Sequence, residues 1–361
     1  MKPENRKQTG IRVLNPHANA LHAFLVERGL LDSKAVPTRK KGLVVFPLSA
    51  NPSATEKREL KKQFPKAKLV VESFLQKSGQ KGSLKDALAS VLSPAEMQKL
   101  VSGFDALGNI AIIEIPKGLE KKEKQIARAV LETNAGIQTV CKKMGAHKGK
   151  YRIEPVKIIA GEKNLVADYK ESGCRFRVHL GKTFFSPRLS FERQRIAKQI
   201  KPGEMVGAFF AGVGPFPIIF AKYSPMKKAV AIELNPNSVK DLKCNIQLNK
   251  MESKIEAVQG DVKKIVPKKF RGVFDRVVMP LPKGAEDFLK EALVSLKSKG
   301  GIVHFYAFVP SENPFEGIED RIQQIAKKNS FSIKILNHKQ VRTFSKDLIQ
   351  IVIDFWAKKQ K

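Results

Sequence analysis

The chain has 361 residues, 42% of them hydrophobic, which is enough for two or three domains with a sizeable core. Its formal net charge is +33 and its pI is about 10.0. This excess predicts a polyanionic partner, nucleic acid first. The alternative is a lysine-rich composition that only solubilises the surface.

The three cysteines, Cys141, Cys174 and Cys244, are widely spaced, with no CxxC pair and no accompanying histidine cluster. We therefore expect no metal site and no disulfide framework, and the pattern favours a reducing, cytoplasmic location. The N-terminus is polar, and the longest apolar stretch is interrupted by glycines and prolines around residue 214. No membrane segment or signal peptide is expected.

Residues 1–85 are predicted to form a small α+β domain. The first ten residues look frayed because they are polar. Apolar spacing predicts a helix that ends at Gly29, and residues 43–47 form an apolar strand pattern. Residues 49–68 are lysine-rich and are expected to be a loop with a short helix.

Residues 100–182 are predicted to form a second, mixed α/β domain. Its expected elements are a strand within 104–116, a helix around 126–131, and strand regions at 149–152, 156–160 and 174–179.

From residue 183 to 361 the pattern alternates between strands and helices. The candidate strands are 205–210, 229–233, 255–258, 274–280, 300–306 and 349–355. Such alternation predicts a doubly wound, mostly parallel α/β sheet of the Rossmann-like kind, preceded by the two smaller α+β domains.

The glycine-containing stretch 207–217 joins the first of these strands to a helix. Glycines there allow positive φ and a close approach of backbone to a ligand. The stretch lacks the third glycine of GxGxxG, so a plain NAD site is disfavoured. The structural alternative is a tight turn between two packed elements.

Three further features follow in order along this half of the chain. Glu233 ends the second strand, where a carboxylate can bind ribose hydroxyls. Asp261 follows the third strand and is placed to accept from an adenine amino group. Prolines at 280 and 282 make a rigid loop after the fourth strand. This order predicts a class I S-adenosylmethionine-dependent methyltransferase.

The chain also resembles the archaeal and eukaryotic tRNA guanine-37 N1-methyltransferases over nearly its whole length. The resemblance rests on residues 185–193, 210–216, 277–283, 301–306, 149–152 and 159–162, with a weaker match at 29–32. It implies an N-terminal domain for the tRNA elbow, a middle domain and a Rossmann-like catalytic domain at 183–361. It also implies tRNA and S-adenosylmethionine as partners, without an obligate protein partner.

We predict the site residues from these patterns together with the resemblance. The predicted cofactor contacts are Phe210, Ala211, Gly212, Val213, Gly214, Glu233, Leu234, Asp261, Val262 and Pro280. The predicted catalytic residues are Glu192, Arg152 and Pro280, and the predicted substrate contacts are Arg188, Arg193 and Pro282. By resemblance, Glu192 is the base for the guanine N1 proton, and Arg152 contacts the guanine carbonyl.

Each role has a structural alternative. Glu192 is otherwise an exposed helix carboxylate paired with Arg195 or Arg188, and Arg152 a phosphate contact. Arg188 and Arg193 either bind phosphate or brace the fold. The aromatic rings of Phe184, Phe185 and Phe216 either stack on a ligand or fill the core, and His304 is expected to be packed rather than catalytic.

Two residues depart from the family pattern. Ala208 stands where the family usually has Asp, so one polar contact near the cofactor is expected to be missing. Pro280 replaces the usual Asn and resembles the archaeal subgroup that also methylates a tricyclic wyosine intermediate. The alternatives are the wybutosine-pathway aminocarboxypropyl transferase, which resembles this architecture, and a non-catalytic tRNA-binding protein.

Overall fold

The structure is a computed structural model that describes residues 5–32, 35–40, 42–75, 83–100, 103–145, 149–345 and 347–360. The chain divides into two compact units, Met1–Ala87 and Leu88–Lys361. The predicted boundaries at 85 and 182 remain predictions.

The described residues of the first unit form a four-stranded antiparallel sheet with helices. Its elements are β1 (Asn5–Leu14), α1 (Ala18–Glu27), β2 (Thr38–Lys40), β3 (Leu43–Pro47), α2 (Ala54–Gln63), β4 (Lys68–Leu75) and, at its boundary, α3 (Leu84–Leu88). The sheet order is β2-β3-β1-β4. The expectation of a frayed start was wrong for residues 5–10, because they pair with β4 as the first part of β1. The later part of β1 also pairs with β3 and buries Ile11 and Val13. Residues 1–4 lie outside the described part of the chain.

The second unit begins with a smaller sheet. Its elements are α4 (Pro94–Lys99), β5 (Asp105–Leu107), β6 (Ile110–Ile113), α5 (Glu123–Thr133), β7 (Thr139–Lys143), β8 (Val156–Gly161), β9 (Val166–Glu171) and β10 (Cys174–His179). Strands β5 to β8 form one sheet in chain order, and β9 and β10 form a hairpin.

Two details of this region differ from the sequence-based expectation. Residues 104–116 contain two short strands, because Gly108 adopts a φ of +58° and turns the chain between them. The segment 149–152 is a turn, in which Gly149 and Arg152 both have positive φ.

The rest of the second unit is a seven-stranded sheet flanked by helices. Its elements are α6 (Ser190–Ala197), β11 (Met205–Phe209), α7 (Pro215–Tyr223), β12 (Lys228–Glu233), α8 (Pro236–Leu248), β13 (Ile255–Gln259), α9 (Val262–Lys269), β14 (Arg276–Met279), α10 (Leu289–Ser295), β15 (Gly301–Pro310), α11 (Ile318–Lys328), β16 (Phe331–Thr343) and β17 (Leu348–Lys359). The strand order is β13-β12-β11-β14-β15-β17-β16. Five strands are parallel, while β17 pairs antiparallel with β15 and with β16.

This topology confirms the doubly wound, mostly parallel prediction. The apolar strands are buried on both faces, with Phe220 in one core cluster and Phe274 in the other. The chain moves outward from β11 to β13 and then returns to β14. The strand order therefore reverses between β11 and β14, where open α/β sheets bind ligands at the carboxyl ends of their strands. Within the described residues, no helix is long and apolar enough to cross a bilayer.

We predict that Gly214→Ala destabilises the protein more than Gly203→Ala. Both glycines have positive φ, +92° and +78°. A Cβ at Gly214 would lie 2.4 Å from Cδ1 of Leu242, which is fully buried, whereas a Cβ at Gly203 would meet nothing within 4 Å. The clash should add about 1–3 kcal/mol to a shared backbone cost of about 1–2 kcal/mol. Chemical unfolding of the two variants measures the difference, and equal losses would contradict it.

Candidate functional site

The turn after β11 has a constrained backbone. Phe210, Gly212 and Gly214 have φ values of +54°, +56° and +92°, and Gly214 caps α7. Phenylalanine rarely adopts positive φ, so the surrounding structure must hold it there. Its ring lies edge-on to Phe288 at a centroid distance of 4.9 Å, which supplies one such contact. The turn therefore presents backbone at the ligand-binding edge of the sheet.

Glu233 holds this turn from the neighbouring strand. Its carboxylate accepts hydrogen bonds from the backbone N–H groups of Gly212 and Asn235, both at 2.8 Å. Burial raises the pKa of Glu233, although these N–H groups oppose the shift. The sequence predicted the carboxylate but not its hydrogen bond to the glycine turn.

The other predicted cofactor residues lie around the same edge. Asp261 caps α9 by accepting from the backbone N–H of Lys263 at 2.8 Å. Leu234 is 38% exposed, whereas the side chains of Ala211, Val213 and Val262 are buried. Those three can therefore reach a ligand mainly through their backbone.

Strand β11 has no polar side chain at position 208, where the family usually has Asp. Ala208 is buried and pairs with Ala231 and Val278 of the adjacent strands.

Three hydrogen bonds hold the loop after β14. The carbonyl of Pro282 accepts from the backbone N–H of Phe308 at 2.9 Å, and Leu281 N–H donates to the Met279 carbonyl. The carbonyl of Lys283 accepts from the Arg152 guanidinium. Thus Arg152, from the smaller sheet's side of this unit, reaches the loop that contains Pro280. Burial lowers the pKa of Arg152 from its usual value.

Glu192 is buried, contrary to the exposed alternative, and it is paired with Arg195 as that alternative expected. Arg195 donates Nε to Oε2 at 2.8 Å and Nη2 to Oε1 at 2.6 Å. The hydroxyl of Tyr306 donates to Oε1 at 2.7 Å. In the described part of the chain, Oε2 thus accepts one hydrogen bond and retains a lone pair.

A cavity of about 510 Å³ opens beside this group. It is lined by Pro282, Lys283, Gly284, Ala285, Glu286, Phe305, Tyr306, Ala307, Phe308, Ile318, Arg321, Phe344 and Leu348. The rings of Phe308 and Phe344 lie 4.4 Å apart, and Arg342 lies over the ring of Phe344. Tyr306 and Phe344 were missed as site residues, because nothing local in the sequence joins them to the proline loop.

The two other arginines of the motif differ in environment. Arg193 is 1% exposed, donates to both carboxylate oxygens of Glu171, and lies over the rings of Phe185 and Phe216. Arg188 is about half exposed and donates to Asp105 at 2.7 Å. These contacts support the interpretation of Arg193 as a brace, and they leave Arg188 partly accessible.

The three aromatic candidates differ in their exposure to solvent. Phe216 is buried, Phe185 packs edge-on against Tyr169 at 5.1 Å, and Phe184 is 42% exposed. His304 is fully buried, as expected, and hydrogen-bonds to Asp354 and Arg276.

Comparison with known proteins identifies the family. A profile described as the TRM5/TYW2 methyltransferase domain matches residues 167–335, and one described as the TYW2 N-terminal domain matches 84–164. The chain is 34% identical to tRNA (guanine(37)-N(1))-methyltransferase Trm5b of Pyrococcus abyssi over 92% of this chain and 93% of that protein. The chain belongs to the TRM5/TYW2 methyltransferase family.

Solved structures agree with this assignment. The crystal structure of Trm5b from Pyrococcus abyssi superposes with a TM-score of 0.69 at 30% identity, covering 97% of this chain and 99% of that one. A complex of aTrm5 and tRNALeu gives 0.66 at 26% identity, covering 96% and 99%. Pyrococcus horikoshii TYW2 in complex with MeSAdo also gives 0.66 at 26% identity, covering 77% and 98%. The predicted family and the Rossmann-like methyltransferase fold are therefore confirmed.

We predict that Arg193→Gln lowers the free energy of unfolding by about 3–5 kcal/mol, because it leaves the buried Glu171 carboxylate unpaired. Arg188→Gln should cost at most about 1 kcal/mol, since its ion pair is solvent-exposed. Chemical unfolding of both variants provides the comparison. Near-native stability of Arg193→Gln would return Arg193 to the phosphate-binding interpretation.

Proposed function

We propose that the protein transfers a methyl group from S-adenosylmethionine to N1 of guanosine 37 in tRNA. The named relative with this activity is similar over nearly the whole chain. The observation that carries the proposal within the molecule is a convergence. Arg152 and Glu192, predicted from separate motifs, each lie one hydrogen bond from the wall of the same cavity, at Lys283 and Tyr306.

The cofactor fits the edge formed by β11, β12 and β13. The positive-φ turn at Gly212 and Gly214 allows close approach of a ligand, and Glu233 stands where ribose hydroxyls bind. Leu234, Asp261 and Val262 are assigned to the adenine side, and Phe210 and Pro280 to the reacting end. A related structure is in complex with MeSAdo. When bound, S-adenosylmethionine supplies a methyl group activated by a sulfonium.

The target base is placed beside the proline loop, in the aromatic cavity. Phe308 and Phe344 offer an apolar wall. Lys283 lines the same cavity, Arg342 lies over the Phe344 ring, and Arg321 lines the cavity paired with Glu286. Aromatic walls with basic rims suit an unpaired nucleobase and its phosphates. Pro282 holds the loop against β15.

Proton removal falls to Glu192. Guanine N1 carries a proton at neutral pH and must lose it to become an effective nucleophile. Oε2 of Glu192, which accepts one hydrogen bond among the described residues, is the atom assigned to accept this proton, while Arg195 and Tyr306 fix the carboxylate. Negative charge then builds on the guanine carbonyl oxygen, and the Arg152 guanidinium is the cation assigned to it.

One alternative activity has specific support. The match of residues 84–164 to the TYW2 N-terminal domain favours the aminocarboxypropyl transferase. Pro280 separately favours additional methylation of the tricyclic wyosine intermediate. Incubation with cofactor and unmodified or wyosine-intermediate tRNA, followed by nucleoside mass spectrometry, distinguishes all three by the mass added and the base that carries it.

We assign the first unit to binding of the tRNA elbow. We assign the protein to the cytoplasm. The charge of +33 supports a nucleic-acid partner. The solved complex of aTrm5 and tRNALeu matches this chain over 99% of the aTrm5 chain.

We predict that Glu192→Gln slows single-turnover methyl transfer by about 10²–10⁴-fold, the usual effect of removing a positioned base. Binding of cofactor and tRNA should change little. Glu256→Gln is the control, since Glu256 on β13 forms a partly exposed ion pair with Lys228 at the start of β12, away from the carboxyl ends of these strands. A normal rate for Glu192→Gln would remove Glu192 from the mechanism, and a melting scan reports any loss of fold.

We predict that a chain limited to residues 88–361 binds S-adenosylmethionine but binds full-length tRNA more weakly. Each lost phosphate contact reduces the slope of log affinity against log salt by slightly less than one, so the slope should become shallower. Titrations at several salt concentrations test this. Unchanged affinity and slope would reject the assignment of the first unit to the tRNA elbow.

A further inference from the structure

Asp354 is an acidic residue in the middle of the apolar strand β17, and it is 2% exposed. Its carboxylate accepts from Nη1 of Arg195 at 2.6 Å and from Nη2 at 3.2 Å. The same guanidinium binds both carboxylate oxygens of Glu192. Arg195 is therefore shared between two buried carboxylates from different elements.

The Glu192 and Asp354 carboxylates face polar groups on α6, β15 and β16. Glu192 faces Arg195 on α6 and Tyr306 on β15. Asp354 faces Arg195, His304 on β15 at 2.6 Å, and the Asn337 amide on β16 at 3.4 Å.

The network continues into the sheet. His304 meets Arg276 on β14 at 2.8 Å, and Arg276 pairs with Glu204. Burial lowers the pKa of His304, although Asp354 opposes the shift. Burial opposes ionisation of Asp354 as well, but His304 and Arg195 outweigh it and hold the pKa of its carboxyl well below the usual range. Asp354 thus carries a full negative charge toward Arg195.

Sharing has a chemical consequence for Glu192. An arginine whose charge acted on Glu192 alone would stabilise the carboxylate form and weaken it as a base. A second carboxylate on the same guanidinium offsets part of that charge and prevents the guanidinium from rotating.

We propose that Asp354 is a positioning residue for methyl transfer, which shares Arg195 with Glu192 and so keeps the Glu192 carboxylate oriented and basic. This inference rests on the proposed role of Glu192 as the base. Asp354 acts on Glu192 through Arg195.

The test is the pH dependence of single-turnover methyl transfer in the full-length protein. Asp354→Asn keeps the shape of the side chain, removes its charge and leaves Arg195 paired with Glu192. The acidic limb of the profile should move to lower pH, and the plateau rate should fall by about ten-fold, because a weaker base accepts the proton less readily. Arg195→Gln should move the limb the other way, to higher pH.

Asp241→Asn is the matched control. Asp241 is a carboxylate on α8 that is 2% exposed and bonds a histidine, His179, at 2.6 Å, as Asp354 bonds His304. Its loss should lower the melting temperature and leave both the limb and the plateau unchanged.

The outcomes are separable. A profile for Asp354→Asn identical to that of the wild type, with only a lower melting temperature, overturns the positioning role. If Glu192→Gln retains the normal rate, the proposed base is wrong and the role of Asp354 falls with it. If Glu192→Gln is slow and neither Asp354→Asn nor Arg195→Gln moves the acidic limb, this inference alone is wrong.

Discussion

The Arg195 guanidinium is the contact on which the arrangement of the catalytic region depends. Arg195 lies on α6, where it pairs with Glu192 of the same helix, and it also binds Asp354 on β17, next to the edge of the seven-stranded sheet. Removing charges from water costs several kcal/mol per ion, and a buried ion pair seldom returns more than that. The arrangement therefore contributes more to geometry than to net stability. It sets the position of α6, and with it the Glu192 carboxylate, relative to β15 and the proline loop.

The cofactor edge is built by different means. Its glycine turn is held by hydrogen bonds from backbone N–H groups to Glu233, and by the ring contact of Phe210 with Phe288. These contacts fix the path of the backbone, whereas the charged network on the other side of β11 fixes side chains. Each suits its proposed task, since a cofactor bound by backbone needs an exact turn and a proton acceptor needs a fixed carboxylate.

The sequence predicted most of the parallel sheet because its strands are short apolar runs bounded by glycine, proline and acidic residues. The sequence did not predict strands that are polar in composition and are ordered by pairing with neighbouring strands. The polar start of β1 is ordered by pairing with β4. Strand β16, which was not predicted, is a largely polar edge strand that is defined by its pairing with β17. At the site, spacing along α6 allowed the pairing of Glu192 with Arg195 to be considered in advance. The contribution of Asp354 could not be, because its partner lies 159 residues away in the chain.

The arginines show how partner chemistry separates structural from functional roles within one motif region. Arg193 is held by the Glu171 carboxylate and is fully buried, so its charge is neutralised where it stands. Arg152 instead donates to the neutral carbonyl of Lys283, which orients the guanidinium without cancelling its charge. A cation held in this way keeps its electrostatic effect for a negative charge that develops on a bound base. The sequence does not separate these two arginines, and the different acceptor opposite each one supports the proposal that Arg193 braces the fold and Arg152 acts in the reaction.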